Sequence, residues 1–217
     1  GDGYCARLDT RMESVKVLGL VNITVLAAGS IFTGSVHEPI KGTKNPQKML
    51  QTGIPFTKKP VALQFDYKVK MSDRENRIRA TGFSKITDVP GKDYPAAILL
   101  LQKRWEDANG NVYAKRIGTM VTYYYHSTDW KNNVTYEIMY GDITNRPEYK
   151  AHMMRLQATE SYTVNSKGES VPIHEVAWGD ENDVPTHMYI QFTSSHGGAY
   201  IGSPGNTLWV DNVKLVY

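Results

Sequence analysis

Apolar and polar side chains alternate with a period of two through most of this sequence, while the longer period of a helix is nearly absent. The clearest example is "PVALQFDYKVK", where polar residues separate Leu63, Phe65, Tyr67 and Val69. Because successive side chains of a strand point to opposite faces of its sheet, the pattern predicts a half-buried antiparallel strand. A chain built from such strands is expected to be all-β.

Turn signals separate the other predicted strands. "AAILLLQKRW" and "VYAKRIGTMVTYYY" flank "EDANGN", whose Asn109-Gly110 pair is typical of a tight hairpin, and a second hairpin is expected between "VPIHEVAW" and "THMYIQFTSS". Residues 41–59 lack a period and are predicted to form a surface loop, and residues 145–158 a short helix. The prediction is a jelly-roll-type antiparallel β-sandwich with at most one or two short helices.

The length, charge and apolar segments of the chain limit its possible domain organisation and partners. The chain has 217 residues and no segment with the composition of a linker, so residues 1–217 are predicted to form a single domain. Lys and Arg number 25 against 22 Asp and Glu without clustering, which argues against a nucleic-acid partner. The longest apolar passage, "VKVLGLVNITVLAAGSIFTG", contains Lys16 and Asn22 and is predicted to be two buried strands, so no transmembrane segment is expected.

The last third of the chain carries a family resemblance. "THMYIQFTSSHGGAYIGSPGNTLWVDNVKLVY" resembles the closing motif of the putative carbohydrate metabolism domain family. The matching residues are Thr186, His187, Ser194, Ser195, Gly198, Gly202, Gly205, Leu208, Val210 and Asp211. "GYCARLDT" is similar to the family's first strand and "AAGSIFTGSV" to its next motif, so the resemblance spans nearly the whole chain. It is weaker in the middle.

The resemblance implies a β-sandwich exported by gut bacteria and associated with glycan use. The protein is therefore expected to be periplasmic or on the cell surface, with its leader removed, and to have a polysaccharide or oligosaccharide as its partner. The family has no established catalytic residues. Some members carry an additional immunoglobulin-like domain, so a further domain or an envelope partner is compatible with the resemblance.

Two chemistries are compatible with a glycan partner. Glycoside hydrolysis needs two carboxyl groups in one cleft, and the candidates here are Glu137, Asp142 and Glu175. These residues do not form the alternating run of acids found on the concave strand of sandwich-fold glucanases. Binding requires only exposed rings with polar neighbours, because an aromatic ring stacks on the apolar face of a sugar. The candidate ligand-binding residues are Trp105, Arg116, Tyr124, Trp130, Tyr140 and Trp178, although each ring has core packing or sheet cover as its alternative.

The run "VTYYYHSTDW" allows a sharper prediction, because one core cannot hold three consecutive tyrosines of a strand. The most economical register places Tyr123 and Tyr125 in the core and Tyr124 on the other face. A bulge would reverse this. We predict that Tyr124 lines a solvent-accessible depression with at least one of Trp105, Trp130 or Trp178, and that Arg116 lies at its edge.

No cofactor is expected, because the sequence has no phosphate loop, dinucleotide motif or histidine spacing typical of a zinc site. A structural calcium ion is the exception considered, with Asp2 and Asp211 as candidate ligands near the first and last strands. A hydrogen bond from a neighbouring turn to Asp211 is the alternative. Three functions remain open: glycan binding as an accessory to polysaccharide use, glycoside hydrolysis, and a structural or adhesion role.

Overall fold

A computed structural model describes residues 3–17, 21–36, 45–82, 84–154 and 161–217, and the regular secondary structure in these ranges is almost entirely β. Two short 3-10 helices cover Pro46–Met49 and Ala151–Met154. The strands are β1 (Ala6–Val17), β2 (Val21–Ala28), β3 (Ser30–Phe32), β4 (Gly34–Val36), β5 (Leu50–Thr52), β6 (Ile54–Pro55), β7 (Ala62–Lys70), β8 (Arg77–Arg79), β9 (Thr87–Val89), β10 (Ala96–Glu106), β11 (Val112–Tyr123), β12 (Thr128–Glu137), β13 (Met139–Tyr140), β14 (Tyr162–Val164), β15 (Ser170–Trp178), β16 (His187–Thr193), β17 (Ile201–Gly202) and β18 (Thr207–Val216).

Two sheets form the body of the protein. The first has the strand order β12-β7-β18-β1-β2, and the second has the order β14-β15-β11-β10-β16-β3, with β13 added beside β11 and β6 beside β16. Strands β17, β8 and β9 make a small third sheet, and β4 pairs with β5. The predicted all-β sandwich is confirmed.

The second predicted hairpin is wrong. Strands β15 and β16 do not pair with each other, because the β10–β11 hairpin lies between them in the sheet. Strand β15 runs parallel to β11, which departs from the expected purely antiparallel pairing. The predicted Asn109-Gly110 turn is present, and in it the positive φ angle falls on Gly110 alone, at 90°.

The main core lies between the two large sheets. Leu63, Phe65 and Val69 of β7 are buried there, as the alternation of that strand predicts, and they face Leu99 and Leu101 of β10. The other face of the second sheet is covered as well. A separate cluster there contains Ile98, Leu100, Val121, Ile143 and Met153. Burial on both faces explains why "AAILLLQ" is apolar without alternation.

A β-bulge changes which side chains of β11 share a face. Leu101 pairs with Gly118 and Gln102 pairs with Arg116, so Ile117 is an extra residue in β11. Beyond such a residue the alternation of faces is reversed. Tyr124 therefore points into the main core, while Arg116 lies on the outer face of the second sheet.

Two segments differ from their predicted structure. The predicted loop 41–59 contains regular structure, and the predicted helix in 145–158 is shorter than expected. Within 41–59, residues 46–55 contain the first 3-10 helix and strands β5 and β6, so the loop prediction is wrong there, while residues 56–59 are irregular as predicted. Within 145–158, the described helix is the single turn Ala151–Met154. Residues 41–44 and 155–158 lie outside the described residues. No helix in the described part of the chain is long and apolar enough to cross a membrane.

Candidate functional site

A cleft of about 360 Å³ opens on the outer face of the second sheet. Its volume lies in the range of sites that bind small molecules. It is formed by β2, β3, β5, β14, β16, the first 3-10 helix and the loop before β17. The described residues that line it are Val25, Leu26, Ala27, Ala28, Ser30, Phe32, Pro46, Gln47, Leu50, Thr52, Ser161, Tyr162, Tyr189, Gln191, Thr193, Ser195, Gly198, Ala199 and Tyr200.

Strand β16 supplies the floor of the cleft. Its alternation sends Met188 and Phe192 into the main core and leaves Tyr189, Gln191 and Thr193 on the outer face, in the cleft. Tyr189 is almost completely buried, and this burial raises the pKa of its hydroxyl. The floor therefore presents the amide of Gln191 and the hydroxyl groups of Tyr189 and Thr193. The hydroxyl of Thr193 already donates a hydrogen bond to the carbonyl oxygen of Ser195 over 2.9 Å.

The walls add further hydroxyl groups whose positions are held by hydrogen bonds. Ser30 Oγ donates to Thr193 Oγ1 over 2.8 Å. Asn45 Nδ2 donates to the hydroxyl of Tyr162 over 2.8 Å, and Thr52 Oγ1 donates to the carbonyl oxygen of Tyr162 over 3.1 Å. These contacts tie β3 to β16, and they tie Asn45 and β5 to β14, around the opening.

Buried Asp93 organises the loop at the far wall of the cleft. Its Oδ1 accepts a hydrogen bond from Ser195 Oγ at 2.9 Å, and its Oδ2 accepts one from the backbone N–H of Ser203 at 2.8 Å and one from Asn206 Nδ2 at 3.2 Å. A Cβ atom on Gly202 would lie only 2.7 Å from Ser195 Oγ, so the loop closes around Asp93 only with glycine at that position.

Tyr200 lies on the rim of the cleft in an unusual conformation. Its φ angle is 61°, in the left-handed region that a bulky residue rarely adopts. Partial burial raises the pKa of its hydroxyl. Such conformations persist where the surrounding structure enforces them, and they are frequent at ligand sites. Phe32 supplies a second ring to the cleft, 6.4 Å from the ring of Tyr189.

The cleft is electrically neutral along its described lining. None of the described residues that line it is Asp, Glu, Lys, Arg or His. The arrangement can form several neutral hydrogen bonds and ring contacts with a polyhydroxylated molecule. The same lining lacks the pair of carboxyl groups that glycoside hydrolysis needs.

The predicted placement of Tyr124 and Arg116 is wrong. Tyr124 is only 6% exposed and packs against Tyr67 in the main core, with ring centroids 4.7 Å apart. Burial raises the pKa of its hydroxyl well above the ordinary value. Arg116 is fully buried on the opposite face of the sheet. The bulge at Ile117 is the reason that the two side chains do not share a depression.

The other predicted ligand-binding rings lie apart from one another. Trp105 is exposed near the β10–β11 turn and stacks on Tyr113 at 5.8 Å. Trp178 packs against the guanidinium of Arg116, whose Cζ atom lies 5.9 Å from the centroid of the Trp178 ring. Tyr140 donates a hydrogen bond to the carbonyl oxygen of Pro60 over 2.7 Å.

Trp130 lies on the first sheet and is exposed. It lines an open groove with Trp209, Lys68 and Asp129, away from the cleft. A role of these rings in ligand binding stays a prediction.

The three candidate acids do not line the cleft. Glu175 forms a buried ion pair with Arg116. Glu137 is exposed and lies 3.8 Å from Arg146. Asp142 is exposed and accepts hydrogen bonds from the backbone N–H and the hydroxyl of Thr144, which lower the pKa of its carboxyl.

Of the two candidate calcium ligands, Asp2 lies outside the described residues. Asp211 pairs across the sheet with Asp66 and accepts a hydrogen bond from the backbone N–H of Asn212 over 2.8 Å. Among the described residues, no group of three or more His, Cys, Asp or Glu side chains could hold a metal ion. A calcium site using Asp211 stays a prediction.

The sequence did not predict the residues of the cleft as a site. It contains one signal for them, because the alternation in "THMYIQFTSS" places Tyr189, Gln191 and Thr193 on one face. Asp93 has no such signal, since its partners lie more than 100 positions away in the chain.

Comparisons with known proteins agree with the sandwich fold and with the motifs at both ends of the chain. One solved structure with a similar fold is the crystal structure of a putative glycoside hydrolase from Bacteroides thetaiotaomicron VPI-5482. It has 18% sequence identity and a TM-score of 0.53, and the match covers 96% of this chain and 57% of that one. The chain thus spans less than two thirds of that protein, and the likeness shows the fold alone. No curated protein matches the chain.

The sequence profile of one family matches almost the whole chain. The two segments "AAGSIFTGSV" and "THMYIQFTSSHGGAYIGSPGN", which resemble motifs of that family, come together in space and line the cleft through residues such as Ser30, Phe32, Thr193 and Ser195. The profile of the putative carbohydrate metabolism domain covers residues 1–216. The chain therefore belongs to the putative carbohydrate metabolism domain family, and its function is related to carbohydrates.

Proposed function

We propose that this protein binds neutral glycans in the cleft on the outer face of its second sheet, without cleaving them. The observation that carries the proposal is the lining of the cleft, in which hydroxyl and amide groups converge with the rings of Phe32 and Tyr200 and no described residue is charged. In the cell the protein serves as an exported accessory to polysaccharide use, at the periplasm or the cell surface.

The chemistry of the lining favours a sugar over a purely apolar ligand. Gln191 and Thr193 are buried, and both present polar groups to the cleft. A ligand with hydroxyl groups can add hydrogen bonds to this polar lining, whereas an apolar ligand would only remove it from water. Tyr200 at the rim offers a ring for the apolar face of the same ligand.

The test is direct binding. Isothermal titration calorimetry would measure the affinity of the protein for glucose, mannose, xylose and galactose and for their oligosaccharides of up to six residues. We expect at least one series to bind, and the Tyr200→Ala and Gln191→Ala variants to bind it at least about tenfold more weakly. Tyr217→Ala is the matched control, because it removes an exposed ring that does not line the cleft.

Two results would contradict the proposal. Failure of every sugar to bind would favour the structural or adhesion role. Sugar binding that the Tyr200 and Gln191 variants leave unchanged would place the site elsewhere. Melting temperatures of all variants have to be recorded, so that loss of folding is not read as loss of binding.

Glycoside hydrolysis is the alternative, and one observation favours it. Glu137 and Glu148 line a second pocket, of about 250 Å³, together with Arg146. Both carboxylates are exposed, and the contact of Glu137 with Arg146 is an ordinary surface ion pair. Release of reducing ends from the same oligosaccharides, abolished by Glu137→Gln with the fold intact, would establish this alternative.

A further inference from the structure

Five aromatic rings form a continuous partly exposed patch beside the cleft. His152 stacks on Tyr123 with ring centroids 4.1 Å apart, and Tyr123 lies 4.9 Å from His196. His196 stacks on Tyr94 at 5.5 Å, and Tyr94 meets Tyr125 edge-on at 4.6 Å. Tyr125 is 49% exposed and the other four rings are partly exposed. We call these five residues the tyrosine–histidine patch.

The patch is held in place by buried polar contacts behind it. The backbone N–H of Tyr94 donates a hydrogen bond to Nδ1 of His196 over 3.0 Å, and this nitrogen lies 3.2 Å from Oδ1 of buried Asp93. His152 belongs to the second 3-10 helix. The carbonyl oxygens of Met153 and Met154 in that helix accept hydrogen bonds from buried Arg116. Rings fixed in this way lose little conformational entropy when a ligand stacks on them.

The patch and the cleft are neighbours on one sheet face. Ala96 of β10 pairs with Tyr123 on one side and with Thr193 on the other. Thr193 lines the cleft, so the patch begins two strands away, roughly 10 Å from the floor of the cleft. The two surfaces are also adjacent in the chain, because Ser195 lines the cleft and His196 belongs to the patch.

We infer that the tyrosine–histidine patch is a second sugar-contacting surface, on which an oligosaccharide seated in the cleft continues. This rests on the proposed function of the cleft. The ligand is therefore an oligosaccharide or polysaccharide chain, because a single sugar in the cleft would not reach the patch. The hydroxyl and N–H groups at the edges of tyrosine and histidine rings can hydrogen-bond to the hydroxyl groups of a sugar. The ring faces can stack on the apolar face of the sugar.

The experiment compares sugars of one series by length. Calorimetry would measure Kd for the shortest sugar that binds and for its hexasaccharide, with the parent protein and with Tyr125→Ala, Tyr125→Phe and Tyr217→Ala. We expect Tyr125→Ala to weaken the hexasaccharide about 3- to 10-fold and to leave the shortest sugar unchanged. Tyr125→Phe keeps the ring and should stay within about twofold of the parent. Tyr217→Ala removes an exposed ring elsewhere and should have no effect.

The failure of this inference is distinguishable from the failure of the cleft proposal. If Tyr200→Ala weakens both sugars and Tyr125→Ala weakens neither, the cleft binds glycan and the patch does not. If Tyr125→Ala weakens the shortest and the longest sugar equally, the patch is not an extension of the cleft, and the inference is overturned. If no sugar binds, both proposals are wrong.

Discussion

The guanidinium of Arg116 and the carboxylate of Glu175 form a two-point ion pair inside the protein. Nε of Arg116 donates to Oε2 of Glu175 over 2.9 Å, and Nη2 donates to Oε1. Further guanidinium bonds go to the carbonyl oxygens of Met153 and Met154 and to the hydroxyl of Thr119. Gln102 Nε2 also donates to Oε2 of Glu175, over 2.5 Å. The pair thus joins β11, β15 and the second 3-10 helix, which carries His152.

Loss of the carboxylate at this pair should destabilise the fold. We expect Glu175→Gln to lower the free energy of unfolding by about 3–5 kcal/mol, because it leaves the buried cation of Arg116 without a counter-charge. Glu137→Gln, at an exposed acid, should change it by less than about 0.5 kcal/mol. Urea denaturation measures both. A loss below about 1 kcal/mol in Glu175→Gln would show that the pair contributes little to stability.

Tyr124 and Tyr125 should respond in opposite ways to truncation. Tyr124→Ala removes a ring from the main core and is expected to lower the free energy of unfolding by about 3–5 kcal/mol. Tyr125→Ala removes a half-exposed ring and should lower it by less than about 1 kcal/mol. Thermal melting followed by circular dichroism would compare the two variants. Equal melting temperatures would contradict the assignment of Tyr124 to the core.

Asp93 should affect both stability and sugar binding. Asp93→Asn replaces an acceptor oxygen by a donor facing either the Ser203 N–H or the Ser195 hydroxyl, and should lower the free energy of unfolding by about 1–3 kcal/mol. The loop that carries Tyr200 should then be less well ordered, and sugar binding should weaken. Asp88→Asn, at an exposed acid, is the control. Unchanged stability and affinity in Asp93→Asn would contradict a role of Asp93 in organising this loop.

His187 should make stability depend on pH. Burial, and secondarily the nearby charge of Arg104, lower the pKa of its imidazole from 6.5 to about 4. Between these values the unfolded chain binds more protons than the folded protein, so the free energy of unfolding falls as the pH falls from about 6.5 to about 4. Because His187 is only half-buried, solvent screening reduces the loss to roughly 1–2 kcal/mol.

The control for this pH dependence is a comparison of two histidine variants. His187→Gln should lose less unfolding free energy than the parent as the pH falls from about 6.5 to about 4. His126→Gln, at an exposed histidine, should lose as much as the parent. Urea denaturation at several pH values would measure the difference. Identical pH profiles for the parent and His187→Gln would refute the assignment.

The class of the fold could be predicted from single strands. The alternation in β7 correctly placed Leu63, Phe65 and Val69 in the core, because the period of two is a local property of extended backbone. The closing motif also indicated the family, because its residues follow one another within a single stretch of the chain. The pairing partners of β15 and β16 were not predictable in this way, since they depend on which hairpin lies between the two strands.

The sequence by itself determined the all-β character, the sandwich class and the family, because these follow from local periodicity and from motifs in chain order. Tertiary structure alone decided the sites. The bulge at Ile117 sent Tyr124 into the core and Arg116 to the outer face, and a one-residue shift of this kind leaves no mark in the alternation of apolar and polar residues. Asp93 meets Ser195 and Ser203 only after the two sheets have formed, because hydrogen bonds between residues more than 100 positions apart depend on the path of the whole chain.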